Sequence, residues 1–343
     1  MCSGLKSSAE TGPGLCWGLI GASNVAREWV IDAIRAQPAN EIVTVMSSDA
    51  DRAVNYAKDN NIASHGTDLN AVLSDPRVNA VYISTTNELH EAQTLAAAKA
   101  GKHVLCEKPL SLNLSGARNM VDACAKAGVV LATNHHLRNA ATHRKIRELI
   151  RSGAVGTPLF VLVFHANYLP PRLQGWRINK PGGGVVLDST IHDADTLRFI
   201  LGTEPRSVTA ITQQANLASG ELEDGVMTVL RFEDNVLVQI HGAYTLKYAV
   251  NGIEIHGTEG SIVARGVMTQ QPTGRVYLRN ANGEEEIPIE HENLYTHALA
   301  AFNAAIRGEG QPSASGEDGV RSLAVALAVL ESARTGKLVE IPS

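Results

Sequence analysis

The sequence has little cysteine, few aromatic residues and no long apolar run. Its four cysteines, Cys2, Cys16, Cys106 and Cys124, show neither a C-x-x-C pair nor the spacing of metal ligands. We therefore expect reduced thiols and exclude disulfides and structural zinc. No uninterrupted apolar stretch is long enough to span a bilayer, and residues 1–14 lack the apolar core of a signal peptide. These absences predict a disordered tail over residues 1–14, a cytoplasmic protein and no membrane partner.

An excess of positive charge is also missing. The chain has 30 basic and 35 acidic residues and a net charge of -5. No lysine- or arginine-rich stripe interrupts this mixture, so we expect no nucleic-acid partner. What is present is ordinary globular composition, with 44% hydrophobic residues over 343 positions. This length predicts two domains.

The order of short apolar segments predicts the fold class, which is α/β. The first half alternates strand-like and helix-like segments, which is typical of a parallel sheet flanked by helices. It predicts a Rossmann domain over residues 15–138. After residue 155 the pattern changes to strands joined by short turns, as in Val226 to Ile240, and this favours antiparallel pairing. We expect residues 139–343 to form a C-terminal α+β domain with a large, mostly antiparallel sheet.

A glycine-rich turn follows the first predicted strand. Gly21 to Ala26 matches G-x-G-x-x-[GA] at two of its three small positions, because Ser23 replaces the middle glycine. A small residue there still lets the backbone approach a pyrophosphate, and the next helix directs its free amides at the phosphates. A tight turn without a ligand is the alternative interpretation.

The end of the second predicted strand favours NADPH over NADH. Ser47 occupies the position where NAD enzymes usually carry an acidic residue on the ribose. An acid would repel a 2'-phosphate, whereas the Ser48 hydroxyl and the planar donor fork of Arg52 suit one. A solvated helix start at Asp51-Arg52 is the alternative, and it leaves the missing acid unexplained.

Two further segments follow predicted strands and should lie at the carboxyl edge of the sheet, where open sheets bind ligands. Ser84 to His90 is a polar run expected over the cofactor, although a simple loop would also explain its polarity. Glu107-Lys108-Pro109 places a charged residue between a carboxylate and a proline. A surface lysine in a strand-to-helix turn is the alternative.

Asp188 and His192 are spaced four residues apart in a segment that leads into a predicted helix. On a helix they share one face and can form a hydrogen bond. A carboxylate behind an imidazole suits a proton donor to a carbonyl oxygen. An ordinary i, i+4 pair or two metal ligands are alternatives, but no third ligand follows at a recognised spacing, so we expect no metal.

Two more pairs are candidates for the pocket. His135 and His136 are adjacent at a strand end and should point in opposite directions, so we expect one of them, His136, to face the pocket. Trp176-Arg177 offers an aromatic surface and a charged donor of the kind that sugar sites use. A loop packed between domains would explain Trp176-Arg177 equally well.

Taken together with His256-Gly-Thr-Glu-Gly-Ser261, these motifs resemble the Gfo/Idh/MocA oxidoreductase family over nearly the whole chain after residue 14. The resemblance implies a cis peptide bond at Lys108-Pro109. Segments such as Trp17 to Ser23, Asn134 to Asn139 and Gln174 to Arg177 are similar to the branch of this family that reduces anhydro keto sugars. That similarity implies NADPH-dependent reduction of the C2 ketone of 1,5-anhydro-D-fructose to 1,5-anhydro-D-mannitol.

The resemblance also implies roles for individual residues. The cofactor pyrophosphate and 2'-phosphate would be held by Gly21, Ala22, Ser23, Asn24, Val25, Ser47, Ser48 and Arg52. The adenosine and nicotinamide would be bordered by Ser84, Thr85, Thr86, Asn87, Glu88, Leu89 and His90. The nicotinamide pocket would be lined by Glu107, Lys108, Asn134, Trp176, Arg177 and Tyr295. The substrate would contact Lys108, His136, Trp176, Arg177, Asp188 and His192.

The implied mechanism uses Lys108, His192 and Asp188. Lys108 would hydrogen-bond the carbonyl oxygen, His192 would deliver the proton, and Asp188 would orient His192, although Lys108 could also donate the proton. Two alternatives stay open, a dehydrogenase of another keto sugar or polyol and a cofactor-binding sensor without chemistry. The family implies either a monomer or a homo-oligomer formed through the open face of the C-terminal sheet.

Overall fold

The computed structural model describes residues 14–342. The predicted tail, except for Gly14, therefore lies outside the described residues. Within residues 14–342, no helix is both long and apolar enough to cross a membrane.

The first sheet contains, in the described part of the chain, six parallel strands in the order β3-β2-β1-β4-β5-β6. The strands are β1 (Cys16–Ile20), β2 (Glu41–Met46), β3 (Ser64–Gly66), β4 (Ala80–Ile83), β5 (His103–Cys106) and β6 (Leu131–Thr133). The helices around them are α1 (Ile31–Arg35), α2 (Ala50–Asp59), α3 (Leu69–Ser74), α4 (His90–Lys99) and α5 (Leu114–Ala127). Every residue of β4 is buried, because helices cover both faces of a parallel sheet. The predicted Rossmann arrangement is confirmed.

The second sheet has nine strands among residues 14–342, in the order β14-β13-β12-β11-β7-β10-β9-β8-β15. The strands are β7 (Pro158–Ala166), β8 (Pro205–Gln213), β9 (Gly225–Phe232), β10 (Leu237–Ala243), β11 (Gly252–Gly257), β12 (Gly260–Arg265), β13 (Arg275–Asn280), β14 (Gly283–Ile287) and β15 (Val339–Glu340). The helices are α6 (Ala141–Arg151), α7 (Pro171–Gln174), α8 (Ile191–Leu201), α9 (Leu294–Ile306) and α10 (Gly316–Thr335). The mostly antiparallel sheet is confirmed, and β7 and β10 form a parallel pair within it.

The two faces of the second sheet differ in what covers them. The inner face is buried, with α10 packed on β8 and the turn Val186–Thr190 packed on β10. On the outer face, apolar side chains alternate with inward ones as expected for strands. Its most exposed members are Phe160, Ile211, Met227 and Val229, and Ile211 is 75% exposed. We call this outer face the open sheet face.

The last helices return to the first sheet. Phe302 of α9 packs on Trp17 of β1 with ring centroids 5.4 Å apart. Tyr295 stacks on Trp29 at 6.0 Å, and α10 packs on α5 and β6. The predicted domain boundary at residues 138–139 falls inside the short 3-10 helix His136–Asn139 and stays a prediction.

Candidate active site

The turn after β1 has the geometry of a phosphate-binding turn. Gly21 has a φ of 115°, and a Cβ there would lie 2.9 Å from the carbonyl carbon and oxygen of Ser84, so only glycine fits. The Ser23 hydroxyl lies 2.8 Å from that of Ser84 and accepts a hydrogen bond from the Ala26 amide at 3.1 Å. These contacts fix the turn at the carboxyl edge of the sheet. The predicted pyrophosphate residues are thus brought together, with Asn24 bonded to Arg27.

At the end of β2, two hydroxyls and a guanidinium lie together. Arg52 Nε donates to Ser47 Oγ at 2.8 Å, and an Arg52 terminal nitrogen lies 3.4 Å from Ser48 Oγ. Asp49 caps α2 by accepting the Arg52 amide proton at 2.7 Å. The three residues predicted to contact a 2'-phosphate therefore lie together, and their role stays a prediction.

The loop after β4 connects the two sheets. Asn87 Nδ2 donates to the carbonyl oxygen of Gly182 at 2.8 Å. Thr85 bonds to Gln93 at 2.6 Å. This loop therefore contacts the glycine-rich segment that precedes Val186–Thr190, and its position over the cofactor stays a prediction.

His90, at the end of the same run, corrects one prediction. Its ring is fully buried, and its nitrogens lie 2.8 Å from the Pro109 carbonyl oxygen and 3.2 Å from that of Thr85. Burial lowers the pKa of His90. Because both ring nitrogens face backbone carbonyls, the side chain has no free polar atom for a cofactor, and the predicted contact through it is wrong.

Glu107 and Asn134 hold each other at the ends of β5 and β6. Glu107 Oε1 accepts hydrogen bonds from Tyr82 Oη and Asn134 Nδ2, each at 2.6 Å. The next peptide bond, Lys108-Pro109, is cis, which confirms what the family resemblance implied.

Asp188 is the centre of the site. Its Oδ1 accepts a hydrogen bond from Lys108 Nζ at 2.8 Å, and its Oδ2 accepts from Arg177 Nε at 2.9 Å and Tyr244 Oη at 2.8 Å. The side chains of Lys108 and Asp188 are 10% and 14% exposed. Burial opposes ionisation of Asp188, but the cations of Arg177 and Lys108 outweigh it and hold its pKa well below the usual range. Asp188 is a carboxylate that fixes two cations at the cleft.

His192 does not donate the predicted hydrogen bond to Asp188. Both Asp188 oxygens are occupied by Lys108, Arg177 and Tyr244. The turn Val186–Thr190 is π-helical, and its wider spacing removes the alignment of residues four apart that an α-helix provides. The orienting role of Asp188 toward His192 was therefore wrong.

Two other histidines contact His192. Its Nδ1 lies 3.5 Å from Nδ1 of His135, and its ring centroid lies 4.4 Å from that of His136. Burial, followed by the charge of Lys108, holds the pKa of His192 well below the ordinary value. Both effects favour the neutral form of the imidazole.

His135 and His136 do not point in opposite directions as predicted. Both rings contact His192, with centroids 5.5 Å and 4.4 Å away. The chain enters the 3-10 helix His136–Asn139 rather than continuing as a strand, so the strand alternation does not apply. Burial lowers the pKa of His135 to about 4. His136 also stacks on Tyr295 at 5.3 Å, which places Tyr295 at the same cluster.

Trp176 and Arg177 lie on the 3-10 helix Gly175–Ile178. The Arg177 guanidinium lies 4.8 Å from the centroid of the Trp176 ring, and the same side chain reaches Asp188. Trp176 and Arg177 therefore lie together with Lys108, Asp188 and Tyr244, and we call these five residues the Asp188 cluster.

Sequence reasoning missed Tyr244, which bonds to Asp188, and His165, which bonds to Asp193. Both come from ends of the parallel pair β7 and β10, which carry no local motif. His165 Nδ1 lies 2.7 Å from Oδ1 of the buried Asp193. An alternation of buried positions ending in a polar side chain was the signal available.

Known proteins match the chain over both sheets. The family described as an oxidoreductase family with an NAD-binding Rossmann fold matches residues 15–135, and the GFO/IDH/MocA C-terminal domain matches residues 143–263. The chain is 57% identical to a 1,5-anhydro-D-fructose reductase of Ensifer adhaerens, over 95% of this chain and 98% of that protein. It is 32% identical to a myo-inositol 2-dehydrogenase of Thermotoga maritima, over 80% of this chain and 84% of that protein.

A solved structure shows the same fold. The aldose-aldose oxidoreductase of Caulobacter crescentus superposes with a TM-score of 0.88 at 24% identity, covering 95% of this chain and 99% of that chain. The two family matches together span most of the chain and include an NAD-binding Rossmann fold. The two relatives named above are enzymes that act on a sugar or a polyol. The chain therefore belongs to the Gfo/Idh/MocA family of oxidoreductases.

Proposed function

We propose that this chain reduces the C2 ketone of 1,5-anhydro-D-fructose with NADPH and forms 1,5-anhydro-D-mannitol. The observation that carries the proposal is the Asp188 cluster, in which Asp188 holds the Lys108 ammonium and the Arg177 guanidinium that lies on the Trp176 ring. The Ensifer adhaerens relative carries the same substrate in its name. Its high identity over nearly the full length supports a similar pocket here.

The cofactor part of the proposal uses two clusters of the first sheet. The turn at Gly21 leaves room for a pyrophosphate, and Ser47, Ser48 and Arg52 supply donors for a 2'-phosphate. Bound NADPH would supply the hydride. Glu107 and Asn134, fixed to each other, would line the nicotinamide end of the same edge.

Lys108 is the proposed principal donor to the ketone oxygen. Asp188 holds its Nζ through both a carboxylate oxygen and the main-chain carbonyl, at 2.8 Å and 2.6 Å. An ammonium fixed in this way needs little reorganisation when charge develops on the oxygen. Asp188 thereby acts on the reaction through Lys108.

His192 is the proposed second donor to the same oxygen. The expectation that it delivers the proton depended on Asp188 behind it, and that carboxylate is bound elsewhere. A neutral imidazole still has one N–H to donate. We therefore assign His192 to stabilising the alkoxide by a hydrogen bond.

The sugar ring is proposed to lie against Trp176, with Arg177 and His136 facing its hydroxyls. Arg177 is held by Asp188 and by the Leu173 carbonyl oxygen, at 2.9 Å and 3.1 Å. A donor fixed in this way discriminates by leaving buried polar groups unpaired when a hydroxyl is missing.

A second candidate is a dehydrogenase of another keto sugar or polyol, which the myo-inositol 2-dehydrogenase relative favours. Purified protein with NADPH and 1,5-anhydro-D-fructose, glucosone, fructose or an inosose separates the candidates. We expect the highest kcat/KM for anhydrofructose, with anhydromannitol identified by chromatography. A higher value for an inosose or fructose would favour the second candidate. Binding of NADPH without turnover of any ketone would indicate a sensor.

We further propose that the protein is cytoplasmic. We also propose that a second copy of this chain covers the open sheet face. Phe160, Ile211, Met227 and Val229 leave an apolar surface that spans several strands. Surfaces of this kind mark protein interfaces, and a two-fold contact pairs one such face with itself.

A further inference from the structure

A cavity outside the Asp188 cluster lies beside helix α6. Its volume is about 680 Å³, which is in the range of small-molecule pockets. Helix α6 supplies one wall, and the 3-10 helix His136–Asn139, the end of α8 and helix α9 supply the others. Its described lining residues all lie outside the Asp188 cluster and outside the residues assigned to the cofactor. We call this space the arginine cavity, because it is lined by Arg138, Arg144, Arg147 and Arg151.

Three of these arginines share one face of α6. Arg144, Arg147 and Arg151 are spaced three and four residues apart, and side chains with this spacing are neighbours on a helix. Like charges placed in this way destabilise a helix. Arg151 is in the last turn, where the helix dipole favours a cation, but Arg144 and Arg147 precede that turn. The dipole therefore does not explain the row of arginines.

The charges of the four arginines are not equally compensated. Arg138 and Arg144 each form an ion pair with a carboxylate. Among residues 14–342, neither Arg147 nor Arg151 forms an ion pair or a side-chain hydrogen bond. These two guanidiniums therefore keep their N–H groups for another partner.

The acidic residue in the described lining does not supply the missing counter-charge. Glu148 Oε1 accepts a hydrogen bond from Lys145 Nζ at 2.8 Å, so its charge is already paired. His297, on the α9 wall, has a pKa that burial lowers, which favours its neutral form. The excess charge of the arginine cavity therefore comes from Arg147 and Arg151.

Phe199 of α8 holds two of the guanidiniums. The guanidinium carbon of Arg147 lies 4.4 Å from the centroid of the Phe199 ring, and that of Arg138 lies 5.5 Å from it. A guanidinium that packs over an aromatic ring keeps its N–H groups, which lie in its own plane, for hydrogen bonds. Burial, followed by the charges of Arg151 and Arg138, lowers the pKa of Arg147. The cations are therefore close enough to repel one another, and a bound anion would relieve that repulsion.

We propose that the arginine cavity binds the phosphate group of a small molecule. A phosphate group carries about -1.5 to -2 charges at neutral pH, which matches the two uncompensated guanidiniums. Phosphate oxygens also accept two parallel hydrogen bonds from one arginine. A cavity of this volume has room for an organic group beside the phosphate. A phosphate monoester and free inorganic phosphate are therefore two sources of the same chemistry.

Calorimetric titration of the full-length protein with inorganic phosphate and with glycerol 3-phosphate tests the proposal. The solutions contain saturating NADPH, so that phosphate binding at the cofactor site is blocked. The ionic strength is held constant with chloride, because salt screens exposed charges. We expect one saturable site per chain with a Kd below about 1 mM, and no saturable heat from chloride alone. The tighter of the two ligands identifies the source of the phosphate group.

Substitutions in α6 make the outcome specific. Arg147→Ala and Arg151→Ala each remove one uncompensated guanidinium and should raise the Kd by about tenfold or more. Arg147→Lys keeps the charge but loses the planar pair of donors, so it should raise the Kd by less. Arg334→Ala is the matched control, because it removes the same charge from α10, where Arg334 is 71% exposed and paired with Glu331. It should bind both ligands as the wild type does.

Thermal melting identifies a variant that fails to fold, and Arg151→Ala, at an exposed position, keeps the test available if Arg147→Ala does not fold. The assignment is overturned if neither ligand binds saturably, or if both folded alanine variants bind as tightly as the wild type. It is also overturned if phosphate binds only in the absence of NADPH, which would place the binding at the cofactor site. The titration requires no turnover, so a failure of the proposed reduction is distinguishable from a failure of this site.

Discussion

Replacing Asp188 by asparagine should cost both stability and turnover. The carboxylate accepts hydrogen bonds from Lys108, Arg177 and Tyr244 between 2.8 Å and 2.9 Å. An asparagine keeps one acceptor oxygen and turns an amide NH2 toward the remaining donors, while two cations lose their counter-charge. Removing one partner of a buried ion pair costs about 3–5 kcal/mol. The Asp188 side chain is 14% exposed, and the asparagine keeps one acceptor oxygen. We therefore expect a loss of about 3 kcal/mol in the free energy of unfolding.

Urea denaturation and steady-state kinetics measure the two effects. Without its anchor Lys108 loses its fixed position, so kcat should fall by about a hundredfold. Asp122→Asn, on the exposed side of α5, removes the same charge and should change stability by less than about 0.5 kcal/mol. A loss in Asp188→Asn no larger than in this control, or an unchanged kcat, would refute the reasoning.

The pH dependence of the difference has a definite sign. The folded pKa of Asp188 is lowered below the ordinary carboxyl value, so the stabilisation it provides is complete above the unfolded pKa of about 3.9. It is lost as the pH falls toward the lowered folded pKa. The gap in unfolding free energy between wild type and Asp188→Asn should therefore be constant near neutral pH and shrink only in acid.

Three further predictions follow from the other clusters. The kcat/KM with NADPH should be at least about tenfold higher than with NADH, which is about 1.4 kcal/mol in activation free energy. Ser47→Asp should reduce this preference because its charge repels the 2'-phosphate, and Arg52→Ala should reduce it as well. Equal kcat/KM values for the two cofactors in the wild type would contradict the prediction. Lys108→Met and His192→Asn should each lower kcat by about a hundredfold with NADPH affinity nearly intact, whereas a loss confined to affinity would indicate a binding role. Phe160→Lys should shift the protein to a smaller mass in light scattering without lowering kcat, and a wild type that is already monomeric would rule out the second copy.

The parts of the fold and site that sequence predicted are those with local patterns. The turn at Gly21 combines a strand, small residues and a helix within a short stretch. Glu107-Lys108-Pro109 directly follows the apolar run of β5, which predicted a strand there. The Rossmann strands were recognised for the same reason, since parallel strands are buried on both faces. Helix α9 was not predicted, although Asn293 caps it by accepting hydrogen bonds from the Tyr295 and Thr296 amides.

The partners of Asp188 could not be predicted in this way. The i, i+4 spacing to His192 assumes an α-helix, and nothing in the segment marks the π-helical turn Val186–Thr190. Lys108 follows β5 of the first sheet and Tyr244 follows β10 of the second sheet. They meet at Asp188 because of long-range packing, and such contacts carry no local signal. The same reason conceals the pairing of His165 with Asp193.

The contact between Trp17 and Phe302 ties the beginning of the chain to its end. A ribosome releases the whole first sheet long before it makes residue 302, so β1 emerges without the aromatic neighbour that covers it. The Gln37 side chain donates a hydrogen bond to the Thr296 carbonyl oxygen at 3.0 Å, so it also lacks its partner until α9 is synthesised. Contacts of such long sequence separation form late, and nascent domains otherwise fold from the N-terminus. The nucleotide-binding half of this protein therefore completes its surface only when synthesis is nearly finished, and chains truncated before α9 should expose Trp17 and become substrates for chaperones.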